Sequence, residues 1–169
     1  MNLYLLRHGI AAAKDDPAFE SDSERPLTSK GIKKFRKAAR GIEALGLSLD
    51  AILSSPLLRA RQTADVVAEI LGEESAVDEI PALAPDSSPQ QLLAELGDYQ
   101  DKEHVMLVGH EPFLGKLAGF LLTSKNDSDV RIPLRKGGLC RIEVDAIPPT
   151  QLGQMHWLLT PKQLRRMAR

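Results

Sequence analysis

The chain has 169 residues, 43% hydrophobic and 27% charged, with 22 basic and 23 acidic side chains and a net charge of −1. That balance excludes a disordered chain, and the length suits a single domain over residues 1–169 with a core of its own. Cys140 is the only cysteine, which excludes an intramolecular disulfide or a cysteine metal cluster and fits a reducing cytoplasm.

The apolar run at the start of the chain is too short for a secretory or membrane-spanning segment, so neither targeting nor membrane association is expected. Charge is unevenly spread: residues 1–72 hold 11 basic and 9 acidic groups, residues 73–129 hold 3 and 12, and residues 130–169 hold 8 and 2. No strongly basic domain with aromatic platforms occurs, so nucleic acid is not an expected partner.

In chain order, short apolar runs predict strands at 2–6, 50–54, 76–80, 104–109, 138–145 and 154–160. Between them, helical spacing predicts helices over 28–45, 56–71, 89–97 and 112–123. Thr28 is the expected N-cap of the first helix, with Gly46 past its end. Ser55 is the expected N-cap of the second, with Pro56 at its first position and Gly72 as its stop. The run Lys30-Gly31-Ile32-Lys33-Lys34-Phe35-Arg36-Lys37 has helical spacing and reads as a solvated face, with a docking patch as the alternative.

Strands alternating with helices imply right-handed crossovers and an α/β three-layer sandwich, its central sheet mostly parallel and flanked by helices. The last two strands are candidates for antiparallel pairing at one side. Residues 10–27 show no clear period, and a loop of that length in a compact domain is usually functional or mobile.

Three segments carry chemistry. Arg7-His8-Gly9 follows the first strand, Ser54-Ser55-Pro56-Leu57-Leu58-Arg59 follows the second, and Gly109-His110-Glu111-Pro112 follows the fourth. In open α/β sheets the ligand crevice lies beyond the carboxyl ends of the strands, so these junctions converge if the strands are parallel neighbours. Two arginines, two histidines and helix N-termini facing one pocket suit a phosphoryl group. His104 and His156 lack such company and read as structural. Gly137-Gly138 reads as turn chemistry. No metal is expected, because two guanidiniums would repel a cation and Glu111 is the only carboxylate beside either site histidine.

These blocks resemble the histidine phosphatase, or phosphoglycerate mutase-like, superfamily. The match runs through Arg7-His8-Gly9, Pro26-Leu27-Thr28-Ser29-Lys30-Gly31, Ser54 to Ala64, and Gly109-His110-Glu111-Pro112, in that order. The short chain is most similar to the SixA-type protein phosphohistidine phosphatases. The resemblance implies that His8 is a nucleophile that becomes phosphorylated and that Arg7, Arg59 and His110 form the phosphate pocket. Gly9 and Ser55 are further substrate contacts, and no cofactor is needed.

Many superfamily members supply an acid to protonate the leaving oxygen. Here Glu79, Asp86 and Glu111 are the candidates, and none stands out. An alkoxide leaving group, whose conjugate acid has a pKa of about 16, needs such an acid, whereas imidazole, at about 6.5, leaves without one. The expected substrate is therefore phosphohistidine on a histidine-containing phosphotransfer protein of a signalling relay. The alternatives are a small-molecule phosphomonoesterase using Glu79 or Glu111 as the acid, and a non-catalytic phospho-binding module. A mutase is disfavoured because the chain has little material for a lid.

Overall fold

The computed structural model describes residues 1–72, 77–125 and 130–168. Six strands form one sheet: β1 (Asn2–Arg7), β2 (Ala51–Ser54), β3 (Val77–Glu79), β4 (His104–Gly109), β5 (Leu139–Glu143) and β6 (Gln154–Leu159). Their order is β3-β2-β4-β1-β5-β6. The pairs among β3, β2, β4 and β1 are parallel, and β5 and β6 are added antiparallel at one side, as the short connection between them predicts. Position 76 of the predicted third strand lies outside the described residues.

Side chains alternate across a strand, so each strand feeds two cores. Leu3, Leu5, Leu53, Val105 and Leu107 point to one face and pack with helices α3 (Pro89–Glu95) and α4 (Phe113–Thr123). Tyr4, Leu6, Ile52, Met106 and Val108 point to the other, toward α1 (Ser29–Glu43), α2 (Leu58–Leu71) and α5 (Pro161–Met167). The result is the predicted three-layer α/β sandwich. Each fully buried leucine or isoleucine contributes about 1.5–3 kcal/mol, so the sheet is a rigid base for the loops at its ends.

Helix α1 starts as expected: the Thr28 hydroxyl accepts from the Gly31 N–H at 2.9 Å, and Phe35, Ala38, Ala39 and Ile42 form its buried stripe. Helix α2 differs from expectation. It begins at Leu58 rather than Pro56, and Ser55 is not its cap. Strand-type hydrogen bonding continues to Ser55, whose N–H reaches Val108 O at 2.9 Å, and the chain then bends at Pro56 and Leu57 before the helix begins.

Helix α5 was not anticipated. Its signal is present in the sequence, since Thr160 and Gln163 form a capping box around Pro161, but seven residues are too few for a helical period to register. It docks on α1 where Gly41 removes the obstruction: a Cβ there would lie 2.0 Å from the Leu164 carbonyl oxygen.

The long loop after β1 is pinned at its ends. Ala11 bridges Leu27, Ala12 N–H bonds Pro26 O at 2.9 Å, and Thr28 N–H bonds Ile10 O at 2.9 Å. Between these ties a 3-10 turn, Asp22–Glu24, hangs over the sheet end.

Gly41→Ala should force α5 off α1 and expose Leu164. A loss of about 1–3 kcal/mol in urea unfolding is expected, the range for overpacking at a tight contact. A stability equal to wild type would mean that α5 packs differently.

Candidate active site

The parallel register sets the carboxyl ends of three strands side by side, Arg7 opposite Gly109 and Ser54 opposite Val108. The loops leaving β1, β2 and β4 therefore share one edge of the sheet, and backbone bonds carry the alignment one residue further, His8 N–H reaching Gly109 O at 3.0 Å. His8, Arg59 and His110 are brought together there in near-complete burial, at 6%, 4% and 2% exposure. The two imidazole centroids are 5.0 Å apart. With Arg7 they line an open cleft of about 690 Å³.

His8 is oriented from behind. Its Nδ1 lies 2.7 Å from the Gly9 carbonyl. A carbonyl only accepts, so Nδ1 carries the proton and Nε2 keeps a lone pair. Gly9 is held in turn: its N–H donates to Thr63 Oγ1 at 3.1 Å, and that hydroxyl donates to the Arg59 carbonyl at 2.6 Å. One hydroxyl on α2 thus ties the loop bearing His8 to the turn bearing Arg59.

His110 is oriented the same way by Ser55, whose Oγ is 2.8 Å from Nε2 and accepts from Leu57 N–H at 3.3 Å. When the serine donates its own hydrogen to Nε2, the His110 proton sits on Nδ1. Gly9 and Ser55, expected as substrate contacts, support the two histidines; neither is in the lining of this cleft, while Gly9 lines the one adjoining it. Thr63 supports the loop of His8 in the same way.

Arg7 Nη1 donates to Leu134 O at 2.8 Å, in the loop before β5. Among the described residues, the buried side-chain nitrogens and oxygens without a partner are Arg7 Nε, Arg59 Nε and His110 Nδ1. All three belong to this site, and with the tautomer above all three are N–H donors. An orphaned buried donor costs about 1–3 kcal/mol, so three at one place constitute a site built for an anion with several acceptor oxygens.

The carboxylates are disposed differently from expectation. Glu79 does not line the cleft. It is exposed and pairs with Arg61 at 3.3 Å, because the end of β3 lies beyond β2 from the site. Glu111 does line the cleft, but its Oε1 accepts from Leu134 N–H at 2.7 Å and so braces the loop that holds Arg7. Asp86 sits on the cleft wall in an exposed position.

Sequence reasoning missed Asp22, Arg25, Lys14 and Lys136, all on the cleft walls. Asp22 gives its carbonyl and carboxylate to Arg59 at 2.6 and 2.7 Å and also pairs with Arg25 at 2.6 Å. Desolvation, the largest single influence, raises its carboxyl, and the bonds and charges of Arg25 and Arg59 together outweigh it and hold the group below the usual range. For Lys14, Asp22 and Arg25 the sequence signal was the length of the loop 10–27 that carries them, whereas Lys136 lies before β5, where no such signal exists.

His104 and His156 are structural in their contacts, to the Tyr4 hydroxyl at 3.0 Å and to Glu143 at 2.7 Å. No group of three or more histidine, cysteine or acidic residues suited to a metal occurs among the described residues.

Burial pushes both site histidines down to about 3 from the ordinary 6.5, helped at His8 by His110 and at His110 by Arg59. The Gly9 carbonyl and Asp22 respectively oppose the shift. Both rings are therefore neutral at pH 7, as a nitrogen nucleophile requires.

The shift has a consequence for stability. Above pH 6.5 neither ring opposes folding. Between pH 6.5 and about 3 the unfolded chain binds protons that the folded chain refuses, so stability falls with pH by about 1.4 kcal/mol per unit for each histidine. Urea titrations from pH 7.5 to 4.5 should show that slope, shallower by one proton in His8→Asn and in His110→Asn. A slope unchanged by either substitution would contradict the assignment.

The sequence profile of the histidine phosphatase superfamily (branch 1) matches residues 3–84. An uncharacterised protein of Picosynechococcus sp. is 36% identical over 97% of this chain and 99% of its own length. Phosphohistidine phosphatase SixA of Escherichia coli K12 is 32% identical over 72% of this chain and 74% of its own. A solved structure of the protein histidine phosphatase SixA complexed with tungstate superposes with a TM-score of 0.83 at 26% identity, covering 97% of this chain and 99% of that one.

Two other structures share the fold. An α-ribazole-5'-P phosphatase of E. coli K-12 has a TM-score of 0.75 at 19% identity, covering 95% of this chain and 98% of that one. A phosphoserine phosphatase mutant of Entamoeba histolytica has 0.67 at 18%, covering 96% and 98%. The likeness in sequence and fold has one conclusion: the chain belongs to the histidine phosphatase superfamily and is of the SixA type.

Proposed function

We propose that the chain is a protein phosphohistidine phosphatase that works through phosphorylated His8. The observation that carries this reading is the set of three orphaned N–H donors, from Arg7, Arg59 and His110, around a histidine whose Nε2 holds a lone pair. The phosphoryl oxygens satisfy those donors, which stabilise the charge of an in-line transfer without having to reorganise. Nε2 of His8 forms a bond to phosphorus as the substrate's P–N bond breaks, and the substrate imidazole, protonated on its distal nitrogen by solvent, leaves neutral. Water then attacks phospho-His8, the second P–N bond breaks, inorganic phosphate departs and His8 returns to its neutral form.

The carboxylates favour phosphohistidine over a phosphoester. Asp22 is held ionised by two guanidiniums, and Glu111 is engaged by a backbone N–H. Asp86, exposed on the wall, is the one cleft carboxylate outside such bonds, so it is the acid on which a phosphomonoesterase reading depends. The open cleft suits a histidine presented on a folded partner, a phosphotransfer protein. A cytoplasmic setting accords with Cys140, a buried free thiol that burial pushes up to about 12 and so leaves inert.

Phosphate release from a phosphorylated histidine phosphotransfer domain, beside phosphoserine and p-nitrophenyl phosphate, tests the proposal. Turnover of the phosphohistidine domain should be fastest. It should fall by at least about 10³-fold in His8→Ala, the scale of losing a nucleophile, and stay within about twofold of wild type in Asp86→Asn. Faster turnover of phosphoserine, lost in Asp86→Asn, would assign the chain to small phosphomonoesters, and binding of phosphorylated domain without turnover would make it a recognition module.

A further inference from the structure

A second cleft, of about 410 Å³, adjoins the phosphate cleft and shares Arg7 and Lys136 with it. Its remaining cations are Lys34 from α1, Arg135 from the loop before β5 and Arg165 from α5, over a floor that includes Phe35 and Ala38. No carboxylate lines it. Arg135 is near enough to Arg7 to lower its pKa. Beyond Lys34 the positive surface continues along α1 through Lys30, Lys33 and Lys37. The four lysines fall at helical spacing on one face and run about 10 Å along the axis, leading away from the phosphate site.

This face is not arranged for stability. Lysines three and four residues apart repel, which costs a helix a few tenths of a kilocalorie per mole for each pair. Arg36 on the same helix is paired with Glu69 at 2.7 and 2.6 Å, so α1 has a carboxylate partner where it turns toward α2. By contrast, none of the four lysines, nor Arg135, Lys136 or Arg165, forms an ion pair with a described carboxylate. In a chain of net charge −1, an unneutralised band that opens into the site is a directional feature.

We propose that this band is a docking surface for an acidic face of the phosphorylated protein partner, whose aspartates and glutamates lie along α1 while its phosphohistidine enters the cleft. The inference rests on the phosphohistidine reading and adds to it the chemistry of the partner. A phosphoryl group bound at His8 lies at one end of the band, and a small phosphomonoester held there does not extend along it to Lys37. The band offers no exposed aromatic side chain for stacking bases, since Phe35 is buried in its floor. An acidic protein surface matches both its length and its charge.

The test compares wild type with the combined variant Lys33→Glu, Lys34→Glu, Lys37→Glu on two substrates: a phosphorylated histidine phosphotransfer domain with acidic residues flanking its histidine, and free phosphohistidine. For the domain, kcat/KM should fall by about tenfold or more through KM and lose its steep decline with salt, while free phosphohistidine turnover is unchanged. Replacing the domain's flanking acids with lysine should restore the rate of the variant. Unchanged turnover of the domain overturns the docking surface and leaves the phosphatase reading intact. Equal losses on both substrates also overturn it, because the lysines would then act on the pocket. If wild type hydrolyses free phosphohistidine but no phosphorylated domain, the protein-substrate reading and the docking surface fall together. Competition by a duplex oligonucleotide stronger than that by polyglutamate would overturn the assignment to a protein face.

Discussion

The hydrogen bond from His8 Nδ1 to the Gly9 carbonyl is the constraint on which the site depends. It fixes the tautomer, and the tautomer decides whether the nitrogen facing the cleft is a lone pair or a proton. Gly9 can serve because Thr63, in the second turn of α2, fixes its N–H. The segment between β2 and α2 puts the Ser55 hydroxyl against His110. His8, His110 and Arg59 are thereby tied together by two hydroxyls, neither of which lines the cleft.

This arrangement opposes folding. Two neutral histidines and two arginines are taken from water, and three of their N–H donors have no partner in the fold. The parallel centre of the sheet, buried on both faces by Leu, Ile and Val side chains, offsets that cost and holds the strand ends in register. Asp22 tempers the positive charge from the side of the loop, bonding Arg59 through two oxygens. Electrostatic strength at the site and rigidity beneath it are two aspects of one design, since donors that cannot relax toward each other remain available to a phosphoryl group.

The sequence was most legible where a residue's role follows from a repeating pattern or a strand end. The uninterrupted apolar run of β1 and its abrupt end at Arg7 located the sheet and half of the site. His8, Arg59 and His110 converge because parallel strands bring their carboxyl ends to one edge. Ser55 was misread because a serine before a proline satisfies the rule for a helix start, whereas the strand continued and took the serine's backbone with it. Asp22 and Arg25 sit in a segment without periodicity, so nothing local indicated that the 3-10 turn would fold back onto Arg59. Glu79 followed β3, and its distance from the cleft depended on strand order, which no local pattern specifies. The lysines of α1 were visible as a charge run. Their relation to the cleft was not, because it is made by Arg135 and Arg165 arriving from far along the chain.

The central claim is that phosphate passes through Nε2 of His8. Rapid-quench trapping with a ³²P-labelled phosphohistidine domain, followed by peptide mapping, tests it most directly. The account predicts an acid-labile, alkali-stable phosphoryl group on the peptide containing His8, formed before free phosphate appears and absent in His8→Asn. Release of phosphate at the full rate with no label on His8 at any time, as direct attack by water would give, would contradict it.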